Sequence, residues 1–336
     1  MKSYPKISIV TPSFNQGQFI EQTICSVLDQ SYPNLEYIII DGGSTDETCE
    51  IIKKYEKYLT YCVSEPDKGQ TDAINKGFRK TTGVWFNWLN SDDFYEPGVF
   101  KTIAKLHNQH ENIKVIAGLE YGFFQNNLEH KIKHPGSIVH KTTEETIYAG
   151  IIDQPCTFFK RDYVKAFFSL SEDIHYVMDR ELWLNYLASY GVADIIKVDH
   201  YFTNFRLHES SKTVSQQLLF EKEFEAMRGV LLQTLRAPDW LIEFHKQKAG
   251  DFCNLSSTLN DCQFKGVSKK KLLSFFVYHY ALYHYVHNKI RESQMAMRWI
   301  SNNGFLDKKY LPLFAKSAIL PSQFIFQMKR IKSKYF

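Results

Sequence analysis

The first hundred residues alternate between two periods of apolar positions. Ile7-Ser-Ile-Val10, Tyr37-Ile-Ile-Ile40, Leu59–Val63 and Val84–Leu89 are short, nearly continuous apolar runs, the pattern of strands covered on both faces. Between them, Gly17–Gln30 and Gly69–Lys80 carry apolar residues at helical spacing, and Ser44-Thr-Asp-Glu47 sets a capping residue before a helical stretch ending at Tyr58. Repeated strand, helix, strand units predict an α/β fold built on a mostly parallel sheet with helices on both faces. Further strands are expected at Val115–Leu119, Cys156–Phe159 and Ile195–Val198, with a helix at Asp179–Tyr190. From Val214 onward the periodicity is mostly helical, including Lys269–Arg298, and Tyr278–Ile300 reads as one helical hairpin.

In such sheets ligands lie at the carboxyl ends of the strands, so the polar residues there are the ones to read. Strand one ends in Thr11-Pro-Ser-Phe-Asn15, strand two in Asp41-Gly-Gly-Ser-Thr-Asp46, strand three in Ser64-Glu-Pro-Asp-Lys-Gly69 and strand four in Asn90-Ser-Asp-Asp93. Asp92 and Asp93 directly follow a buried strand. Two carboxylates fixed at a sheet edge call for a cation, and a hard divalent ion such as Mg²⁺ or Mn²⁺ commonly shares its oxygen ligands with substrate phosphates. The same pair also serves as a helix cap and turn. No GxxxxGK[ST] or GxGxxG segment is present to cradle phosphates through backbone amides.

Composition excludes several classes. With 336 residues, 44% hydrophobic and 15% aromatic, the chain is neither disordered nor collagen-like. Six scattered cysteines without a CxxC pair argue against a zinc ribbon or disulfide scaffold and for a reducing, cytoplasmic setting. The first apolar run starts at residue 7, which leaves no room for a signal peptide. Leu272–Val286, interrupted by His279 and His284, is too short and wet to span a bilayer. The formal net charge of +4 hides an asymmetry: residues 263–336 hold fourteen Lys or Arg against two acids, leaving the rest at −8. The basic end also carries aromatics such as Phe275, Phe276, Tyr283, Phe314 and Phe324. That combination suits either a helical cap with its aromatics packed inward or a surface lying on an anionic bilayer. No nucleic-acid module is recognisable, so nucleic acid is not an expected partner.

The strand-end segments taken together, with Asn75-Lys-Gly77 and Leu89-Asn-Ser-Asp-Asp93, resemble the nucleotide-sugar half of the inverting family 2 glycosyltransferases of GT-A fold, a Rossmann-like α/β architecture. They are most similar to the bacterial branch that builds O-antigen and capsule polysaccharides. The resemblance covers about residues 5–210. It implies two parts, a GT-A domain over 1–215 and a helical, basic extension over 216–336. It also implies transfer of a hexose or N-acetylhexosamine from a nucleotide-diphosphate donor, uridine-linked, to a lipid-linked surface glycan, with Mn²⁺ or Mg²⁺ as cofactor and peripheral attachment to the inner membrane face. By the same resemblance Thr11, Pro12 and Phe14 line the base and ribose pocket, Asp41 accepts a hydrogen bond from the base, and Asp67 and Lys68 cover it. Asp93 is then the direct metal ligand, Asp92 lies nearer the ribose, and Asn90 stands where many members have an aspartate.

A single displacement needs a base for the acceptor hydroxyl and a cation for the leaving diphosphate. Met178-Asp-Arg-Glu-Leu-Trp-Leu184 resembles the family's acid-rich helix start, which makes Asp179 the base and Glu181 its nearest rival. Without the resemblance, Asp179 reads as a carboxylate favouring a helix N-terminus. Asp153-Gln-Pro-Cys-Thr-Phe-Phe159 resembles the segment framing the acceptor side, where Gln154 would orient a hydroxyl. Arg206-Leu-His208 resembles the late Arg-x-His whose histidine approaches metal or diphosphate, with Lys212 close by, while Arg206 also reads as an ordinary surface cation. Trp85, Trp88 and Trp183 read as core. Two other functions stay open: a sugar nucleotidyltransferase, whose glycine-rich basic loop Thr11–Gly17 lacks, and a non-catalytic nucleotide- or glycan-binding scaffold of the same fold.

Overall fold

The computed structural model describes residues 4–304, apart from 126, 128, 210 and 262, together with Pro312. The chain begins as the apolar pattern predicts: β1 (Ile7–Ser13), α1 (Gly17–Leu28), β2 (Leu35–Asp41), α2 (Thr48–Tyr55), β3 (Tyr61–Ser64), α3 (Gln70–Lys80) and β4 (Trp85–Trp88). It continues through β5 (Phe94–Tyr95), α4 (Val99–Gln109), β6 (Val115–Phe124), β7 (Ile132–His134), α5 (Thr143–Ala149), β8 (Thr157–Lys160), α6 (Met178–Tyr190) and β9 (Ile195–Leu207). The remainder is helical: α7 (Lys212–Ser215), α8 (Gln217–Thr234), α9 (Asp239–Ala249), α10 (Lys269–Val286) and α11 (Ile290–Asn302).

Nine strands form one sheet in the order β3-β2-β1-β4-β8-β6-β9-β5, with β7 paired to β6. The first four strands are parallel. β8 then runs antiparallel to both β4 and β6, while β6 and β9 are parallel. Successive residues of β1, β2 and β4 enter opposite cores. Val10, Ile38, Ile40, Phe86 and Trp88 join one hydrophobic cluster, and Ile7, Ile9, Ile39 and Trp85 join the other, as period-two side chains must when helices cover both faces. Gly77 lets α3 approach β1 closely, since a Cβ there would meet Val10 Cγ1 at 2.3 Å.

The first cluster extends from the sheet through α6 to Met227, Leu231, Phe276, Met297 and Ile300, without a break at residue 215. The three tryptophans Trp85, Trp88 and Trp183 are buried within the two clusters. The helical stretch Lys269–Arg298 forms two helices packed on each other, the hairpin expected at Tyr278–Ile300, with the turn at His287-Asn288-Lys289, where Asn288 has φ +60°. Residues 305–311 and 313–336, which hold much of the basic tail, lie outside the described residues.

Candidate active site

Loops at the carboxyl ends of β1 and β2 hold each other. Asn15, at φ +51°, accepts the Thr45 amide on its Oδ1 at 2.9 Å and donates its own amide to Ser44 Oγ at 2.7 Å. Asp46 accepts the Gly17 amide at 2.9 Å and so binds the start of α1. This locked pair of turns leaves Phe14 58% exposed at the rim of a cavity of about 880 Å³. The cavity is walled by the ends of β1, β2 and β4, the middle of β6, the residues preceding β8, the start of α6 and the end of β9.

Pro12, Phe14, Asp67, Asn90, Asp92 and His208 line this cavity. Gln154, Asp179 and Lys212 line it as well. His208 Nε2 lies 3.0 Å from Asp92 Oδ2, and the His208 ring packs against Phe19. Arg206 is buried, so it is not an ordinary surface cation. Its Nε donates to the Asp92 carbonyl at 2.8 Å and its Nη2 to Gln22 Oε1 at 2.5 Å, while its guanidinium lies over Phe19 and Phe123. Arg206 thereby ties the end of β9 to the Asn90–Asp93 turn and brings His208 to Asp92.

Asp179 stands in the first turn of α6, its Oδ1 accepting the Arg180 amide at 2.7 Å. Burial pushes its pKa up to about 6, with the negative charge of Asp153 adding to the rise against the lowering effects of the Arg180 amide and guanidinium. The approach to α6 is set from outside that helix. Glu223, fully buried on α8, accepts the amides of His175 at 2.8 Å, Tyr176 at 2.6 Å and Val177 at 2.9 Å. Three amides on one carboxylate fix the chain immediately before Asp179.

Several residues expected at the site lie off the cavity wall. Asp93 is 1% exposed and accepts the Arg206 amide at 2.9 Å. Burial, and then the charge of Asp92, raise its pKa well above the usual range. Asp41 is buried and turned into its own loop, where Ser44 Oγ donates at 2.5 Å and Ser64 Oγ at 2.6 Å. Thr11 is buried with its Oγ1 3.1 Å from the Tyr37 hydroxyl. Lys68 points to solvent and pairs with Glu172 at 2.8 Å. Glu181 is fully buried and ties α6 to the segment before α10, accepting from Ser171 N, Ser257 Oγ and Thr258 N. Gln154 faces the cavity, but its amide already donates to Asn87 Oδ1 and the Trp88 carbonyl, each at 2.6 Å.

Sequence reading did not single out Glu120, His134, Asp153 or His175 on the cavity wall, nor Glu223 behind it. Glu120 gives no signal because the apolar run of β6 ends at Leu119, while the strand itself continues to Phe124. Asp153 stood in a segment already noted, one residue before Gln154. Glu223 gives no local signal, because its partners are 46 to 48 residues away.

Among the described residues no group of three His, Cys, Asp or Glu side chains is placed to hold a metal ion. Asp92 and His208 offer one carboxylate and one imidazole to the cavity. Two protein ligands suit a hard divalent cation that completes its shell with diphosphate oxygens and water, so the donor set fits Mg²⁺ or Mn²⁺ shared with a substrate.

Residues 8–168 match Glycosyl transferase family 2. The matched stretch contains β1, but for Ile7, to β8 and every strand end around the cavity except that of β9. An uncharacterized glycosyltransferase of Rickettsia typhi is 24% identical over 248 residues, covering 71% of this chain and 75% of that protein. A putative teichuronic acid biosynthesis glycosyltransferase, TuaG of Bacillus subtilis, is 42% identical over 92 residues, 26% of this chain and 36% of its own length. Among solved structures, S. aureus TarS 1-349 in complex with UDP aligns with TM-score 0.54 at 18% identity, covering 86% of this chain and 88% of that one. The mannosyltransferase PcManGT from Pyrobaculum calidifontis, in complex with GDP-Man and Mn²⁺, aligns with TM-score 0.50 at 14% identity, covering 99% and 88%. The GT-A-like α/β fold expected from the strand ends is therefore the fold of this chain, with additional helices after β9.

Proposed function

We propose that the chain is an inverting glycosyltransferase that moves a hexose or N-acetylhexosamine from a nucleoside-diphosphate sugar, UDP-linked, to a hydroxyl of a glycan acceptor. The observation carrying this reading is that one cavity is lined both by the Asp92–His208 pair and by Asp179, a carboxyl poised near neutrality. Pro12, Phe14 and Asp67 would hold the nucleoside, since they line the end of the cavity at β1 to β3. Asp92 and His208 would hold the cation, which when bound supplies positive charge to the departing diphosphate. Lys212 faces the same cavity and adds a second cationic group, its Nζ 3.1 Å from the His175 carbonyl.

The chemistry required of Asp179 is proton removal. As the acceptor oxygen attacks the anomeric carbon, the bond from that carbon to the diphosphate oxygen breaks, its electron pair leaves with the nucleotide, and the hydroxyl proton passes to the Asp179 carboxylate. A base with pKa about 6 is ionised at neutral pH yet strong enough to accept that proton. Asp93, in this reading, supports Asp92 through the Arg206 amide and does not itself bind the metal.

The relatives extend the proposal to surface polymers. TuaG is named for teichuronic acid biosynthesis, which supports a growing cell-surface glycan as acceptor, and the basic, aromatic end of the chain supports attachment at an anionic inner membrane face where a lipid-linked acceptor would lie. Among the described residues no helix is long and apolar enough to cross a membrane. The deciding experiment is calorimetric titration with UDP, with and without Mn²⁺, on the wild type and Asp92→Ala. Metal-dependent binding in the micromolar range that Asp92→Ala abolishes is the expected result. Metal-independent binding, or none by a folded protein, would return the scaffold reading.

A further inference from the structure

Glu120 is 4% exposed, yet its side chain faces the cavity. Its Oε2 accepts one hydrogen bond, from Thr203 Oγ1 at 3.1 Å, and its Oε1 has no hydrogen-bond partner among the described residues. That oxygen is open to the cavity and is not one of the sealed-off unpartnered atoms of the core, so a ligand hydroxyl can reach it. The backbone aims it there. The β6–β9 ladder shifts register between Ala117 and Leu119 and again between Leu119 and Glu120, a bulge of the kind that re-aims side chains beside active sites. Gly118 permits the kink, because a Cβ there would sit 2.4 Å from the Phe202 ring.

Asp153 lines the same cavity, and its backbone is fixed rather than its carboxylate. Its amide donates to Ser137 Oγ at 2.8 Å and its carbonyl accepts from Thr157 Oγ1 at 2.7 Å. Burial raises the pKa of Glu120 and of Asp179, and the charge of Asp153 adds to the rise at both, which places the three carboxyls in one neighbourhood. Burial raises Asp153 too, against the lowering charges of His134, also on the wall, and Lys197. The charge of Asp93 acts on Glu120 as well, so the acidic wall of the cavity continues from the Asn90–Asp93 turn past Glu120 and Asp153 to Asp179.

Resting on the transferase reading, we infer that Glu120 and Asp153 form the acceptor subsite, gripping hydroxyl groups of the acceptor sugar ring so that one hydroxyl meets Asp179. The chemistry suits a polyol. A carboxyl oxygen takes a hydroxyl proton, and a carboxyl that carries its own proton can donate one back, so Glu120 and Asp153 match groups that both donate and accept. Gln154, whose amide is already committed to Asn87 and Trp88, orients the loop and does not itself bind the sugar.

The test uses full-length protein with UDP and Mn²⁺ present and the methyl glycosides of glucose, galactose and N-acetylglucosamine as probes, read by saturation-transfer NMR. UDP affinity is measured in parallel by calorimetry, and the melting temperature of each variant confirms that it is folded. At least one glycoside should bind the wild type. Glu120→Ala and Asp153→Ala should weaken it at least fivefold while UDP affinity stays within about twofold, and Glu120→Gln, which keeps a donor and an acceptor in place, should retain most of the binding. The inference is overturned if no glycoside binds the UDP-loaded wild type, if Glu120→Ala binds as well as wild type, or if Glu120→Ala loses UDP as well. Failure of the wild type to bind UDP at all would show in the calorimetry alone; it would strike the transferase reading itself and the subsite with it.

Discussion

Asp179 is asked to do something that its surroundings make expensive: to be charged in a half-buried place on the cavity wall. Burial holds its pKa at about 6, against about 3.9 in an unfolded chain. The folded state thus binds more protons than the unfolded one between those values, so this carboxyl's contribution to stability declines as pH rises from about 4 to about 6. Asp179→Asn should therefore fold more stably than wild type at pH 7.5, by on the order of 2 kcal/mol, while transfer falls by at least a hundredfold. Denaturant melts and initial rates on the same preparation check both signs. In the wild type, kcat/KM should rise about tenfold per pH unit below pH 6 and level off above it, and a flat profile would remove Asp179 from the role of base. The neighbouring pair Asp92 and Asp93 should separate. Asp92→Ala should lose metal-dependent nucleotide binding at unchanged melting temperature, whereas Asp93→Ala, which strips the Arg206 amide of its acceptor, should lower stability by about 1–3 kcal/mol.

At the scale of elements, the start of α6 is positioned by a carboxylate on another helix. Removing Glu223 leaves the amides of His175, Tyr176 and Val177 buried without their acceptor, at a cost of about 1–3 kcal/mol for each group that finds no water. Glu223→Ala should consequently lower the melting temperature by several degrees and reduce kcat more than donor affinity, measurable by thermal denaturation and steady-state rates. The first seven elements were legible in the sequence because their strands are continuous apolar runs and their helices are amphipathic, so periodicity and topology agree. Reading failed where local pattern and tertiary role part company. Ser44 looks like a helix cap, yet it serves Asp41 and Asn15 while α2 begins at Thr48. β9 was read as four residues, yet it runs from Ile195 to Leu207, since Asp199, His200, Thr203 and Asn204 disguise a strand whose partner is β6. In the site, the acids at strand ends were found by position alone, but which of Asp92 and Asp93 faces the cavity depends on Arg206, 113 residues away from Asp93.

For the whole molecule, the helical part after β9 shares its core with the sheet. Met227, Leu231, Leu232, Leu272, Phe276, Val277, Met297 and Ile300 are all at most 1% exposed, and each contributes roughly 1.5–3 kcal/mol by leaving water. Losing them would also uncover the α6 and sheet residues that share their cluster, in a fold whose whole net stability is only about 5–15 kcal/mol. A chain ending at residue 215 should therefore be recovered in inclusion bodies, or bind ANS strongly without a cooperative melt. The charge asymmetry belongs to this scale as well. If the basic end meets a bilayer, the full chain should float with vesicles containing anionic lipid, remain unbound to neutral ones, and lose most of the interaction as salt rises from 0.1 to 0.5 M, as screening of surface charge requires.

Glu223 belongs to α8, beyond the stretch that matches the family, while the residue it helps to place is Asp179, the proposed base. An engineer who grafts the sheet half of a relative onto these helices, joining them after β9, will therefore separate the proposed base from its own clamp. Such hybrids should regain turnover when the clamping acid and the three-residue segment that it holds are exchanged as one unit. Recombination breakpoints in this architecture are best placed where neither member of that pair is left behind.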